Sequence, residues 1–139
     1  MKIYFAGSIR GGRNDSDNYA RLIMHLQKFG KILTEHVGNA DVEKSENNYT
    51  ESQIHDRDMN WLSESDIVIA EVSTPSLGVG YEIGRAVEAG KPVLCLYHIK
   101  ADFELSAMIS GCRNVKVFRY NDLDDACGEI EEFIMGVKD

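Results

Sequence analysis

Apolar positions along this chain switch between a period of about two and a period of about 3.6. Lys2-Ile3-Tyr4-Phe5-Ala6 is a short β-prone run, broken by the glycine-rich Gly7-Ser8-Ile9-Arg10-Gly11-Gly12-Arg13. Tyr19, Leu22, Ile23, Leu26 and Phe29 then recur at helical spacing as far as Gly30. Lys31 to Thr34 reads as a second strand. A polar segment follows to Asn48, and its stretch from about Gly38 predicts a mobile loop, a candidate lid. Thr50-Glu51-Ser52-Gln53 has capping-box form and predicts a helix to about Glu64, with Ile54, Trp61 and Leu62 as its stripe. Ile67 to Val72 is almost wholly apolar, as in a strand covered on both faces. The turn Ser73-Thr74-Pro75 hands over to a helical pattern that stops at Gly90-Lys91-Pro92. Pro92 to Tyr97 and Val115 to Phe118 read as further strands, with a short helix over Leu105 to Ser110 between them. An amphipathic helix from Asp122 to Val137 closes the chain, with Leu123, Ala126, Ile130, Phe133 and Ile134 facing inward.

This alternation of strand and helix predicts an α/β fold. The expected architecture is a three-layer sandwich with a five-stranded parallel sheet, flavodoxin/Rossmann-like, and helices on both faces. Its 139 residues suit one domain, 1–139, with a real core. The loops after the first four strands then converge on one edge of the sheet.

Composition narrows the function classes. With 15 basic and 23 acidic residues the formal net charge is -8. That argues against a general nucleic-acid or anionic-membrane binder, while leaving room for a small anionic ligand where basic groups gather. Met1-Lys2 leads straight into a strand rather than an apolar leader, and no apolar run is long enough to span a bilayer. Cys95, Cys112 and Cys127 are few and not in CxxC spacing. They read as reduced thiols of a cytoplasmic protein with no metal site.

The candidate chemistry lies at the ends of strands. Ser76-Leu77-Gly78-Val79-Gly80-Tyr81-Glu82 sits where the third strand hands over to a helix, the usual ligand position in an open parallel sheet. Gly78 and Gly80 let backbone approach a ligand. Glu82 falls in or near the first helical turn, where the macrodipole favours its ionised form, and beside the stripe of Val79, Ile83 and Ala86. It is a candidate nucleophile or anchor, against the alternative of an ordinary first-turn acid. Asp58 stands four residues from both Ile54 and Leu62, so it faces inward; it is either a catalytic carboxylate or a buried structural acceptor. Its neighbours Asp56 and Arg57 read as solvated charge. Ser8, Arg10 and Arg13 among the glycines offer a hydroxyl and two guanidinium forks to a phosphate, in a loop that matches neither G-x-G-x-x-G nor a Walker A motif. His36, just past the second strand, either meets a ligand ring or is simply solvated.

These stretches, together with Leu33-Thr34-Glu35-His36-Val37, Asp56-Arg57-Asp58, Trp61-Leu62, Pro75 to Ala86 and Ser106-Ala107-Met108-Ile109, resemble the nucleoside 2-deoxyribosyltransferase superfamily over nearly the whole chain. Within it, the chain is most similar to the 2′-deoxynucleoside 5′-monophosphate N-hydrolases, from which the glycine-arginine loop separates the transferases. The resemblance implies a glycosidase that needs no cofactor. It implies Glu82 as the nucleophile, Asp58 as the carboxylate assisting the leaving base and water, and Tyr4 as the hydroxyl orienting the nucleophile. It implies Ser8, Ile9, Arg10, Gly12, Ser76 and Gly78 near the 5′-phosphate, with Gly7 and Arg13 of the same loop as further candidates, and a homodimer in which Ser106 crosses to the partner's site. Two neighbouring reactions stay open, base exchange between nucleosides and hydrolysis of a ribonucleotide such as CMP. A non-catalytic nucleotide sensor is the reading from another class. An assay for base release separates it from the enzymes.

Overall fold

The protein is described by a computed structural model over residues 1–9 and 16–139; Arg10 to Asp15 lie outside the described residues. In chain order the elements are β1 (Lys2–Ala6), α1 (Ser16–Leu26), β2 (Lys31–Ile32), a 3-10 turn (Glu35–Gly38), α2 (Val42–Glu46), α3 (Glu51–Glu64), β3 (Ile67–Glu71), α4 (Leu77–Glu88), β4 (Val93–His98), α5 (Ala107–Ser110), β5 (Val115–Tyr120) and α6 (Leu123–Lys138). The five strands form one parallel sheet in the order β2-β1-β3-β4-β5.

The side-chain alternation of each strand sorts the core into two halves. Ile3, Phe5, Ile67, Ile69, Leu94 and Leu96 pack on one face against Leu22 and Leu26 of α1 and Ile130 and Ile134 of α6. Tyr4, Ala6, Val68, Ala70, Val93 and Cys95 pack on the other against Leu62 of α3 and Val79, Ile83 and Ala86 of α4. This is the expected three-layer sandwich. The parity of β1 decides one thing of consequence for function: Tyr4 faces the α3–α4 layer.

Local chemistry sets the element ends. Thr50 accepts from the Gln53 N–H at 3.1 Å while the Gln53 side chain accepts from the Thr50 N–H at 2.8 Å, completing the capping box of α3. Asp122 caps α6 through the Asp125 N–H at 2.9 Å. Gly90, at φ 72, takes the left-handed position that ends α4, where a side chain would be strained.

Two expectations need correction. The second strand is only two residues long, because the Thr34 hydroxyl takes over the ladder: it accepts from the Phe5 N–H at 2.8 Å and donates to the Phe5 carbonyl at 2.7 Å. The chain then turns as a 3-10 helix instead of extending. The segment expected as a lid-like loop holds α2, with Val42 and Glu46 buried. Its apolar signal is a single valine because its second anchor is a carboxylate.

Candidate active site

The sheet order reverses between β1 and β3: the chain leaves β1 for β2 on one side and returns to β3 on the other. The crevice beyond the carboxyl ends of these two strands is where doubly wound sheets bind ligands. A cavity of about 590 Å³ opens there. Gly7 and Ile9 after β1 and Ser76, Gly78, Tyr81 and Glu82 after β3 line one part of it. Ile54, His55, Asp58 and Met59 of α3 form a second wall, and Glu43, Glu46 and Asn47 of the α2 region a third.

Glu82 is carried on α4, whose cap is Ser76: the Ser76 hydroxyl accepts from the Val79 N–H at 3.3 Å. Val79 and Ile83 are buried against the sheet, which turns Glu82 inward beside them. It lies in the second turn rather than the first, since α4 begins at Leu77. The expected macrodipole effect is accordingly overruled. Burial, with the charges of Asp58 and Glu46 behind it, raises the Glu82 carboxyl from an ordinary 4.5 to about 8. The Tyr4 hydroxyl donates a hydrogen bond to this carboxyl and works in the opposite direction, favouring ionisation. Tyr4 is itself buried, and burial next to Glu82 and Asp58 holds its own proton firmly on.

Asp58 faces the same cavity from α3. Burial raises its carboxyl above the ordinary range, and the Arg57 guanidinium partly offsets this. Arg57 is not the solvated charge that its place in the sequence suggests. Its Nε donates to Asp58 Oδ1 at 2.9 Å, and a terminal nitrogen donates to both oxygens of Glu46 at 3.0 and 3.2 Å. Asp56, by contrast, is exposed and pairs with His55 at 2.9 Å.

The glycine loop divides in two. A Cβ on Gly7 would sit 2.9 Å from the Tyr19 ring, while the Tyr19 hydroxyl accepts from the Ser8 N–H at 3.1 Å. The loop is therefore stitched to α1 at a place only glycine fits. Ser8 is fully buried and sits behind the cavity wall rather than on it; Ile9 is on the wall. Arg10, Gly12 and Arg13 fall outside the described residues. The N-terminal turn of α4 presents Ser76, Leu77 and Gly78 to the cavity, the end of a helix that favours an anion. Gly78 lies 3.9 Å from Glu82 Oε1 by its would-be Cβ, but Gly80 has nothing near it and does not line the cavity.

Comparison with known proteins places the chain in a family. The model of the nucleoside 2-deoxyribosyltransferase family matches residues 3–134. The chain belongs to that family. It is 48% identical over 134 residues to the 5-hydroxymethyl-dUMP N-hydrolase of Rattus norvegicus, covering 95% of this chain and 81% of the relative. It is 47% identical over 142 residues to the protein of the same name from Tetraodon nigroviridis, covering 99% and 100%. The CMP N-glycosidase of Clostridium botulinum shares the fold, with a TM-score of 0.69 at 22% identity over 95% of this chain and 99% of that one.

His36 and Ser106, also read from the sequence of this deoxyribosyltransferase-family chain, stand apart from the cavity lining, as Ser8 and Gly80 do. His36 is packed on the Trp61 ring with centroids 5.5 Å apart, and its Nε2 accepts from Arg57 at 3.3 Å. Burial and the neighbouring guanidinium push it below its ordinary pKa, so it supports Arg57 as a neutral ring. Ser106 is exposed and caps α5 through the Met108 N–H at 3.2 Å. Conversely, His55 and Tyr81 line the cavity, joined Nε2 to Oη at 2.8 Å, and were not singled out from the sequence. Their signal was available: His55 precedes Asp58 by one helical turn, and Tyr81 precedes Glu82.

Tyr4→Phe isolates the hydrogen bond to Glu82. Without it the ionised form loses support, so the ascending limb of kcat/KM set by Glu82 moves above about 8. Activity at neutral pH falls about tenfold for each unit moved. A pH profile of the variant checks this; an unmoved limb contradicts it.

Proposed function

We propose that this glycosidase hydrolyses the N-glycosidic bond of 2′-deoxynucleoside 5′-monophosphates, giving free base and 2-deoxyribose 5-phosphate. The observation that carries the reading is the placement of Glu82 and Asp58 in one cavity, with Tyr4 bonded to Glu82 from below. The Glu82 carboxylate attacks C1′, and the C1′–N bond breaks toward the base. Asp58 supplies the proton the departing base requires. Water then enters where the base stood and gives its proton to Asp58. It attacks C1′, releasing Glu82 and the sugar phosphate. The 5′-phosphate lies toward Gly7, Ile9, Ser76 and Gly78, with Arg10 and Arg13 as its guanidinium donors. Fixing the sugar by its phosphate can contribute about 7 kcal/mol or more to lowering such a barrier. Ser106, exposed in the single chain, completes the site across a homodimer.

The name of these relatives makes 5-hydroxymethyl-dUMP the first substrate to try. Free base is measured from a panel of deoxy- and ribonucleoside monophosphates, each with and without the 5′-phosphate. Release confined to phosphorylated deoxynucleotides is expected. Equal turnover of unphosphorylated nucleosides, accelerated by an added acceptor base, would mean transfer instead. Tight nucleotide binding without turnover would mean a sensor.

A further inference from the structure

The side chain that the cavity leaves unexplained is Arg57. It does not line the cavity, yet it contacts carboxylates from two of its walls. Asp58 is its neighbour on α3. Glu46 belongs to α2, and its side chain is 7% exposed in the Arg57 pair. A carboxylate that enclosed needs a charge partner to stay buried. Beyond Glu46, the only other buried residue of α2 is Val42. The guanidinium is held in one plane by aromatic rings, lying 4.8 Å from the Trp61 centroid and 5.4 Å from that of Tyr49. His36 accepts from the same terminal nitrogen that serves Glu46. The guanidinium is thus shared, with Nε toward Asp58 and one terminal nitrogen toward α2.

We propose that Arg57 is a positioning residue for the glycosidic reaction: it fastens α2 over the cavity through Glu46 and sets the orientation and charge of Asp58, so that this wall and the proton-transferring group are held as one unit. The inference rests on the function proposed above and adds the residue that tunes Asp58. Arg57 fits the role and a lysine would not, because only a planar fork serves both carboxylates at once.

The groups facing Asp58 push in opposite directions. Arg57 favours its ionised form, Glu46 opposes it, and His36 adds to Arg57 only when its ring is protonated. The test uses kcat/KM pH profiles of Arg57→Gln and Glu46→Gln, following the limb that disappears in Asp58→Asn, together with amide hydrogen exchange over residues 39–49. Arg57→Gln moves that limb to higher pH, because it removes the cation. Glu46→Gln moves it to lower pH, because it removes the opposing anion and frees the guanidinium for Asp58. Both variants speed exchange in α2, since each cuts the tie. Arg57→Lys returns the limb part-way. The two glutamine variants moving the limb in the same direction, or not at all, would overturn the proposal, as would unchanged exchange in α2. Should Arg57→Gln not fold, Glu46→Gln still reads both quantities. Wild-type protein that released no base would sink the proposed function instead, and the exchange experiment would still report whether Arg57 holds α2.

Discussion

Glu82→Gln is expected to lower kcat for base release by about 10³-fold or more while leaving nucleotide binding largely intact. The amide keeps the size and the Tyr4 contact but is a far poorer nucleophile toward C1′. The same substitution is expected to make the protein more stable. In the folded chain this carboxyl holds its proton up to about 8, whereas an ordinary carboxylate releases it near 4.5. Between those values the folded state binds more protons than the unfolded state, so stability falls as pH rises through the window. Below 4.5 both states are protonated and no penalty exists; above 8 it is complete. Glutamine never ionises. The melting temperature of the variant should exceed that of the wild type by a margin that grows from pH 5 to pH 8 and then levels. Each kcal/mol recovered is worth about 2–4 °C in a domain near this size. A margin that stayed flat across that range would mean the side chain is not enclosed as described. Loss of activity with gained stability is the signature of a group placed for chemistry at the expense of the fold.

Asp58→Asn should cost about 10²- to 10⁴-fold in kcat, the usual worth of a positioned proton donor and acceptor. The loss should be smallest for bases that leave readily without protonation, because those least need the donor. It should also slow the second half of the reaction, in which the same group activates water. A variant losing activity equally for good and poor leaving bases would reassign Asp58 to a structural part. That alternative was open from the pattern alone, since an inward carboxylate on an apolar stripe serves either purpose.

How much of this was legible in the sequence depends on whether a residue's role is set locally. The strands and the long helices were readable because burial on both faces leaves an unbroken apolar run, and one-sided burial leaves a 3.6-residue stripe. The capping box at Thr50 and the glycine at the end of α4 fixed boundaries within a residue or two. That the stretches after β1 and β3 meet at one edge followed from topology once alternation implied a parallel sheet, whereas the grouping of Tyr4 with Asp58 and Glu82 was implied by the family resemblance. The readings of α2, Arg57 and Glu82 failed for a related reason: each depends on packing between elements, an ion pair for the first two and enclosure for Glu82. A glutamate buried by an arginine 11 positions away carries no periodic signature. Arg57 looked solvated because its partners lie on another element. Glu82 looked ionised because the helix dipole is visible from sequence and the enclosing walls are not. The thiols show the same limit: Cys95 proves fully buried in β4, with its pKa pushed up to about 12, which its spacing could not reveal.

The most direct measurement is to look for the bond itself. The Asp58→Asn variant, slow to bring in water, is mixed with 5-hydroxymethyl-dUMP, quenched in acid within the first turnovers and digested for mass spectrometry. A 2-deoxyribosyl 5-phosphate adduct on the peptide carrying Glu82, absent from Glu82→Gln, is the predicted result. Base release that proceeds with no adduct on that peptide, or with the adduct on another residue, would contradict the account.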